Sequence, residues 1–254
     1  MPATPAWPPR SAPRLFTSAP LALGAHVVID GPQAHYLARV MRISEGDAVM
    51  LCDNITGEWA ARVVEAGKRE VVVSCEIHTA PREEVPDFTL SAALLKKDRF
   101  DLVLEKACEL GVRRIQPVLT RRCVADKLNL DRARALLTEA AEQCARTALP
   151  ELAEPIRLDA LLKGWQPGRA LFFADETGGS PAAASFAAHG GPAALLTGPE
   201  GGFDETERTA IRALPAATAI TLGPRILRGE TATIAATALW MGLAGDWASP
   251  APGN

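Results

Sequence analysis

The chain has 254 residues, 48% hydrophobic and 22% charged, with a formal net charge of −3. That suits one large or two modest globular domains with a true core, and no apolar run reaches the roughly 18 residues a membrane span needs. The negative balance excludes a uniformly basic nucleic-acid binder, so any nucleic-acid contact must come from local patches.

Residues 1–13, rich in Pro and Ala, cannot bury a face and read as a disordered tail. They also lack the apolar stretch of a secretion signal. Five scattered cysteines (Cys52, Cys75, Cys108, Cys123, Cys144) form no CxxC. Together these predict a cytoplasmic protein in a reducing compartment. Residues 14–80 carry short β-branched segments between turn signals: His26–Asp30, Ala48–Cys52, Glu58–Val64 and Glu70–Ile77. Their spacing predicts a small all-β barrel, with one short helix over Ala34–Arg42. Arg39 and Arg42, three apart on that helix, could both touch phosphates. Cys75 and His78 are three apart on a strand and face opposite ways, so they cannot share a metal ion. The Pro- and charge-rich stretch that follows reads as a linker over 81–87.

From Phe88 the rhythm becomes strand, helix, strand, and 88–248 reads as an α/β domain with a mostly parallel sheet, followed by a tail at 249–254. Phe88–Leu95 is the first strand. Asp98 is expected to cap a helix with apolar Phe100, Val103, Leu104, Ala107 and Leu110, ended by Gly111. A strand at Ile115–Leu119 and a helix over Leu130–Thr147 follow. Further strands fall at Ala170–Ala174, Ala193–Thr197 and Ala217–Leu222, and a last helix at Glu230–Leu243. Lys96-Lys97, Arg113-Arg114 and Arg121-Arg122 flank strand ends and read as solvated rims. Lys106 is the expected partner of Glu105 and Glu109, and Glu142 with Arg146 reads as an i,i+4 ion pair.

Two strand-to-helix turns carry the chemistry. After Ala193–Thr197 comes Gly198-Pro199-Glu200-Gly201-Gly202-Phe203, with Asp204 and Glu207 spaced as a capping box. Its glycines offer free N–H groups and close backbone approach. No Lys-Ser/Thr pair follows, so this is not a phosphate-cradling P-loop, and GxGxxG does not fit either. The second turn is Leu222-Gly223-Pro224-Arg225-Ile226-Leu227-Arg228-Gly229-Glu230. Both lie at the carboxyl ends of parallel strands, where ligands bind in such sheets. A pocket of amides and leucines suits an adenine nucleoside better than a triphosphate. Two tight turns with arginines in solvent remain the alternative on spacing alone.

These turns, with Arg14-Leu15-Phe16, His35–Arg42, Gly46-Asp47, Glu105–Val112 and Glu139–Arg146, resemble the RsmE family of small-subunit ribosomal RNA uridine-N3 methyltransferases, members of the SPOUT superfamily. The resemblance covers nearly the whole chain after the tail. It implies a PUA-like RNA-binding β-barrel followed by a SPOUT methyltransferase domain whose deep trefoil knot holds S-adenosylmethionine, in a homodimer. It implies cofactor contacts from Leu196, Thr197, Gly198, Glu200, Gly201, Gly202, Leu222, Gly223, Ile226 and Leu227. Arg228, Glu200 and Glu230 become the candidate catalytic groups, with Arg14, Arg39, Arg42 and Arg225 for RNA. The implied partner is 16S rRNA or the small ribosomal subunit, with no metal and no membrane. Another RNA substrate (a transfer RNA base or a ribose) and a catalytically silent RNA-binding module are the alternatives. The family usually carries threonine where this chain has Gly229.

Overall fold

The computed structural model describes residues 7–247. The tail expected at 249–254, and residues 1–6 of that expected at 1–13, lie outside the described residues. Residues 7–13 are described, and the Arg62 guanidinium sits 4.3 Å from the centre of the Trp7 ring. The chain forms two compact units, one of the residues up to Glu84 with Ala141–Leu149, the other of Val85–Ala140 with the residues from Pro150 onward.

In the first unit β1 (Arg14–Phe16), β2 (His26–Ile29), β3 (Ala48–Cys52), β4 (Glu58–Ala66) and β5 (Val71–Ala80) form one sheet in the order β1-β3-β4-β5-β2. Only β1 with β3 is parallel. By hydrogen bonding this is a sheet with two edges, not the closed ring that "barrel" implied. Alternation drives it: Val71, Val73 and Cys75 point into a core with Leu15, Val27, Ile29, Leu37, Val49 and Leu51, while Val72, Ser74 and Glu76 are half-exposed. Cys75 is buried and His78 exposed. The helix expected at Ala34–Arg42 is instead α1 (Gly31–His35) running into a π-helical turn, Tyr36–Met41. Arg42 then takes a left-handed conformation at φ 54°, so an α-helical shared face does not describe Arg39 and Arg42. Both are exposed.

Among the described residues the second unit holds eight strands, parallel in every pairing: β6 (Phe88–Ala93), β7 (Arg114–Leu119), β8 (Glu151–Leu152), β9 (Ile156–Arg157), β10 (Ala170–Ala174), β11 (Ser180–Pro181), β12 (Ala193–Thr197) and β13 (Ala217–Thr221). The order is β11-β13-β10-β12-β6-β7-β8, with β9 also on β7. The helices are α2 (Lys97–Glu109), α3 (Leu130–Cys144), α4 (Leu158–Lys163), α5 (Ala182–Ala187), α6 (Glu205–Arg212) and α7 (Gly229–Leu243). No helix among the described residues is long and apolar enough to cross a membrane. Every residue of β12 is buried, as expected of a central strand covered on both faces. α7 is anchored by Trp240, stacked on Phe88 with ring centres 4.1 Å apart.

Two expected boundaries change. α2 starts at Lys97 with Lys96 at its cap, so Asp98 lies in the first turn, where its charge meets the helix dipole instead of capping. α3 stops at Cys144 instead of Thr147 because Ala145 turns left-handed at φ 61° and Arg146 N–H bonds back to the Ala141 carbonyl. Lys106 bridges Glu105 at 2.6 Å and Glu109 at 2.7 Å. Within the first unit Arg146 pairs with Glu83 at 3.0 Å, and Glu142 accepts the Phe16 N–H at 2.8 Å.

Candidate active site

Three turns meet at the carboxyl ends of β10, β12 and β13, and a cleft opens among them. The first, Gly198–Phe203, is tied down by side chains. Asp204 Oδ1 accepts the Glu207 N–H at 2.7 Å, and Glu207 Oε2 accepts the Asp204 N–H at 3.1 Å, completing a capping box on α6. The Glu207 N–H and then the Arg121 guanidinium, 3.0 Å away, hold the Asp204 carboxyl below its ordinary range. Arg122 donates to the Gly201 carbonyl at 2.7 Å and lays its stem against Gly201. So Arg121 and Arg122, solvent-exposed as expected, also hold this turn through these bonds. Their partners lie about 80 positions away in the sequence, where no local pattern shows them. At the strand end, the buried Thr233 hydroxyl of α7 lies 2.8 Å from the Thr197 hydroxyl and donates to the Gly229 carbonyl at 2.8 Å.

The turn after β10 was not singled out in the sequence. Asp175 is fully buried, with Arg212 2.7 Å from Oδ2 and Arg208 3.2 Å from Oδ1; the Thr177 N–H and hydroxyl also reach Oδ1. Burial opposes ionisation, but bonds from Arg212 and Thr177 and the Arg208 charge outweigh it and hold the carboxyl below the usual range. Arg208 also reaches Glu176 at 2.8 Å. The Glu176 carboxylate presses on Gly202, whose φ is +65°, and a Cβ there would meet it at 2.3 Å. An acidic pair directly after an apolar strand was the available signal.

The second turn, Leu222–Arg228, has little of this. Gly223 sits at φ +105°, and a Cβ there would project into open space. The N–H groups of Gly223, Arg225, Ile226 and Leu227 find no acceptor among the described residues. Ile226 is 92% exposed. Arg225 and Arg228 are exposed and form no ion pair among the described residues.

Of the expected site residues, Thr197, Gly198, Gly202, Leu222, Gly223, Arg225, Ile226 and Leu227 line the cleft. Leu196 lies beneath it, fully buried in the core with Phe173 and Phe203. Glu200 is exposed near the backbone of Lys96, and Gly201 packs on Arg122, so neither lines the cleft. Glu230 is bound by Arg99 at 2.8 Å, and its second carboxylate oxygen is buried without a partner. Gly229 is buried against Leu95; a Cβ there would lie 3.0 Å from a Leu95 methyl, so the family's threonine would press on Leu95. Arg14, in the other unit, is engaged by Glu58 at 2.5 Å. Idle amides, apolar Leu222 and Leu227, and one carboxylate fit an adenosine whose ribose needs an acceptor. They offer a triphosphate little charge.

The chain's residues 82–241 match the family model described as an RNA methyltransferase domain, and residues 29–74 match an RNA methyltransferase PUA domain. It is 32% identical to ribosomal RNA small subunit methyltransferase E of Mycobacterium tuberculosis over 228 residues, 85% of each chain. The enzyme of that name from Rickettsia conorii is 28% identical, over 89% of this chain and 93% of its own. Among solved structures, ribosomal RNA small subunit methyltransferase E of Neisseria gonorrhoeae, bound to S-adenosyl methionine, superposes with a TM-score of 0.85 at 27% identity, covering 93% of this chain and 99% of that one. A Legionella pneumophila protein solved with the same cofactor gives 0.82 at 26%, over 92% and 99%.

Proposed function

The chain belongs to the RNA methyltransferase family, and on that premise we propose that it transfers a methyl group from S-adenosylmethionine to N3 of a uridine in 16S ribosomal RNA. The observation that carries this is the cleft at the carboxyl ends of β10, β12 and β13, built of backbone amides and apolar side chains. Relatives named for small-subunit rRNA methylation align along most of the chain, and two neighbours of the same fold hold the cofactor.

The residues that would hold the cofactor are Thr197, Gly198, Gly202, Leu222, Gly223, Ile226 and Leu227, with Glu176 as acceptor for the ribose. The cofactor supplies an electrophilic methyl on a cationic sulfonium. The chain's part is to position the base and to manage charge. N3 of neutral uracil carries a proton, and its loss leaves negative charge on the ring nitrogen and flanking oxygens. Arg228, exposed at the start of α7 and without an ion-pair partner, is the cation for that charge. Glu230 opens the same helix with one idle carboxylate oxygen and is the candidate proton acceptor. Glu200, turned toward Lys96, is the weaker candidate.

A cytoplasmic homodimer and a trefoil knot complete the proposal. The cleft measures about 150 Å³ and adjoins, across Leu222, Gly223 and Leu227, an open depression of about 430 Å³ lined by Pro181, Ala182, Ala235 and Leu239. That open apolar face supports a second subunit finishing the site. Arg225 beside the cleft, and Arg39, Arg42 and Arg14 in the PUA unit, are the proposed RNA contacts. Of these Arg14 must first leave Glu58.

The test is methyl transfer from labelled cofactor to small subunits or 16S rRNA lacking the modification, followed by nucleoside analysis. 3-Methyluridine at one position is expected. Label in transfer RNA or on a ribose, or cofactor binding with no transfer to any RNA, would overturn the assignment.

A further inference from the structure

The methyltransferase unit holds a further cavity away from the cleft. At the opposite, amino-terminal ends of β6, β7 and β12, a cavity of about 400 Å³ opens between α4 and the sheet, a size typical of ligand pockets. It exists because Thr89, Ser91 and Ala194 are small where they face α4.

Its floor is polar and incompletely paired. Ser91 is 1% exposed, and its hydroxyl has no hydrogen-bond partner. A buried hydroxyl in that state is destabilising unless something enters to pair it. Beside it in register, Gln116 is 7% exposed and donates its amide hydrogens to the Pro117 and Glu154 carbonyls, at 3.1 and 2.7 Å. That leaves Gln116 Oε1 as an acceptor next to a hydroxyl that can donate. The walls are fixed in advance: Arg169 bonds the Asp87 carboxylate and the Ala193 carbonyl, and Trp165 donates to the Arg169 carbonyl at 2.9 Å. At the mouth, Arg114 pairs with Glu151, while Arg113 reaches Asp87 only at 3.8 Å and is more than half exposed. Three arginines against Asp87 and Glu151 leave one net positive charge.

We propose that this cavity binds a ribonucleotide, its base edge on Ser91 and Gln116 and its phosphate at Arg113. Every nucleobase carries a donor beside an acceptor, which matches the pair on the floor, and one phosphate matches the spare charge. The nucleotide is either free or one unit of an RNA strand. Neither source depends on methyl transfer, so cofactor affinity serves as an independent control.

The experiment is calorimetric titration of the full chain with ribonucleoside 5′-monophosphates and, separately, with a short single-stranded RNA. Two variants accompany it. Ser91→Val removes the hydroxyl, and Ala160→Trp, at an exposed α4 position lining the mouth, fills the entrance without touching the sheet. The expected result is binding of one nucleotide per chain that each variant weakens by about tenfold, at unchanged cofactor affinity. Variant-sensitive binding of the monophosphates identifies a free nucleotide, and sensitivity confined to the strand identifies an RNA unit. If Ala160→Trp, with cofactor affinity intact, leaves the binding of both probes unaltered, or if neither probe binds, the proposal is wrong.

Discussion

Two of the three turns that frame the cleft are held in opposite ways. Gly198–Phe203 is fastened at several points, by the capping box, Arg121, Arg122, the Thr197–Thr233 contact and the Asp175–Arg208–Glu176 cluster behind it. Leu222–Arg228 exposes Ile226, leaves four amides idle and keeps two arginines unpaired. A pre-formed wall lowers the ordering cost of binding a cofactor. The opposing wall takes its shape from whatever binds. The first turn is therefore expected to govern cofactor affinity and the second to govern turnover.

The largest effect expected is from Arg208→Ala, which takes one ion-pair partner from the fully buried Asp175 and one from the exposed Glu176. Arg212 remains, so the cost is about 3 kcal/mol, the lower end for breaking a buried ion pair, read as a fall in denaturation midpoint with loss of cofactor binding. The pH profile sharpens this. The Asp175 pKa is depressed in the fold, so its contribution is present above the unfolded carboxylate value near 3.9 and fades as pH falls through the lower folded value. In Arg208→Ala, acid unfolding should begin at higher pH. An unchanged midpoint would mean that the cluster does not brace the turn.

Gly202→Val comes next. A β-branched residue at φ +65° is strained, and the Glu176 carboxylate stands where the side chain would go. Cofactor affinity should drop by about a hundredfold, roughly 2.7 kcal/mol. A folded variant binding normally would show that the first wall is not the platform. Arg228→Ala tests the other wall. Turnover should fall by about thirtyfold, as for a charged hydrogen bond made in the transition state, with cofactor affinity intact. A raised KM for RNA at constant kcat would make Arg228 a phosphate clamp.

How much of this was legible depended on where the partners lie. The strand–helix alternation was plain because buried parallel strands such as Ala193–Thr197 read as apolar runs bounded by turn residues. β1, β8, β9 and β11 were missed because two or three residues carry no periodicity, and α4 and α5 because six residues hold less than two turns. The glycines of both turns were visible, since their role is local. Arg121, Arg122, Asp175 and Arg208 were not, since each works through a contact 30 or more positions away. The π-helical turn was read as ordinary helix because its composition is that of one.

Gly229→Thr is a milder test. It restores the family's usual residue, and its Cβ would come within 3.0 Å of a Leu95 methyl, the movable end of a side chain. A cost of about 1 kcal/mol is expected, removed when Leu95→Ala is added. Persistence of the cost in the double variant would place the strain elsewhere. Ile226→Ala should do least. At 92% exposure its removal should leave stability within about 0.5 kcal/mol, while cofactor binding weakens severalfold by loss of apolar cover. A large stability change would mean that the second turn is more tightly held than the structure indicates.

The first unit is sewn from two separate stretches of chain. Residues 141–149 supply Glu142, whose carboxylate accepts the Phe16 N–H, and Leu149, whose N–H donates to Asn54 Oδ1. A gene fragment ending at residue 84 would encode the sheet and leave this seam open. In this chain the first unit is therefore not a cassette that recombination could lift out whole. Its inheritance is bound to that of residues 141–149, and a protease cut after residue 84 would nick the unit without releasing it intact.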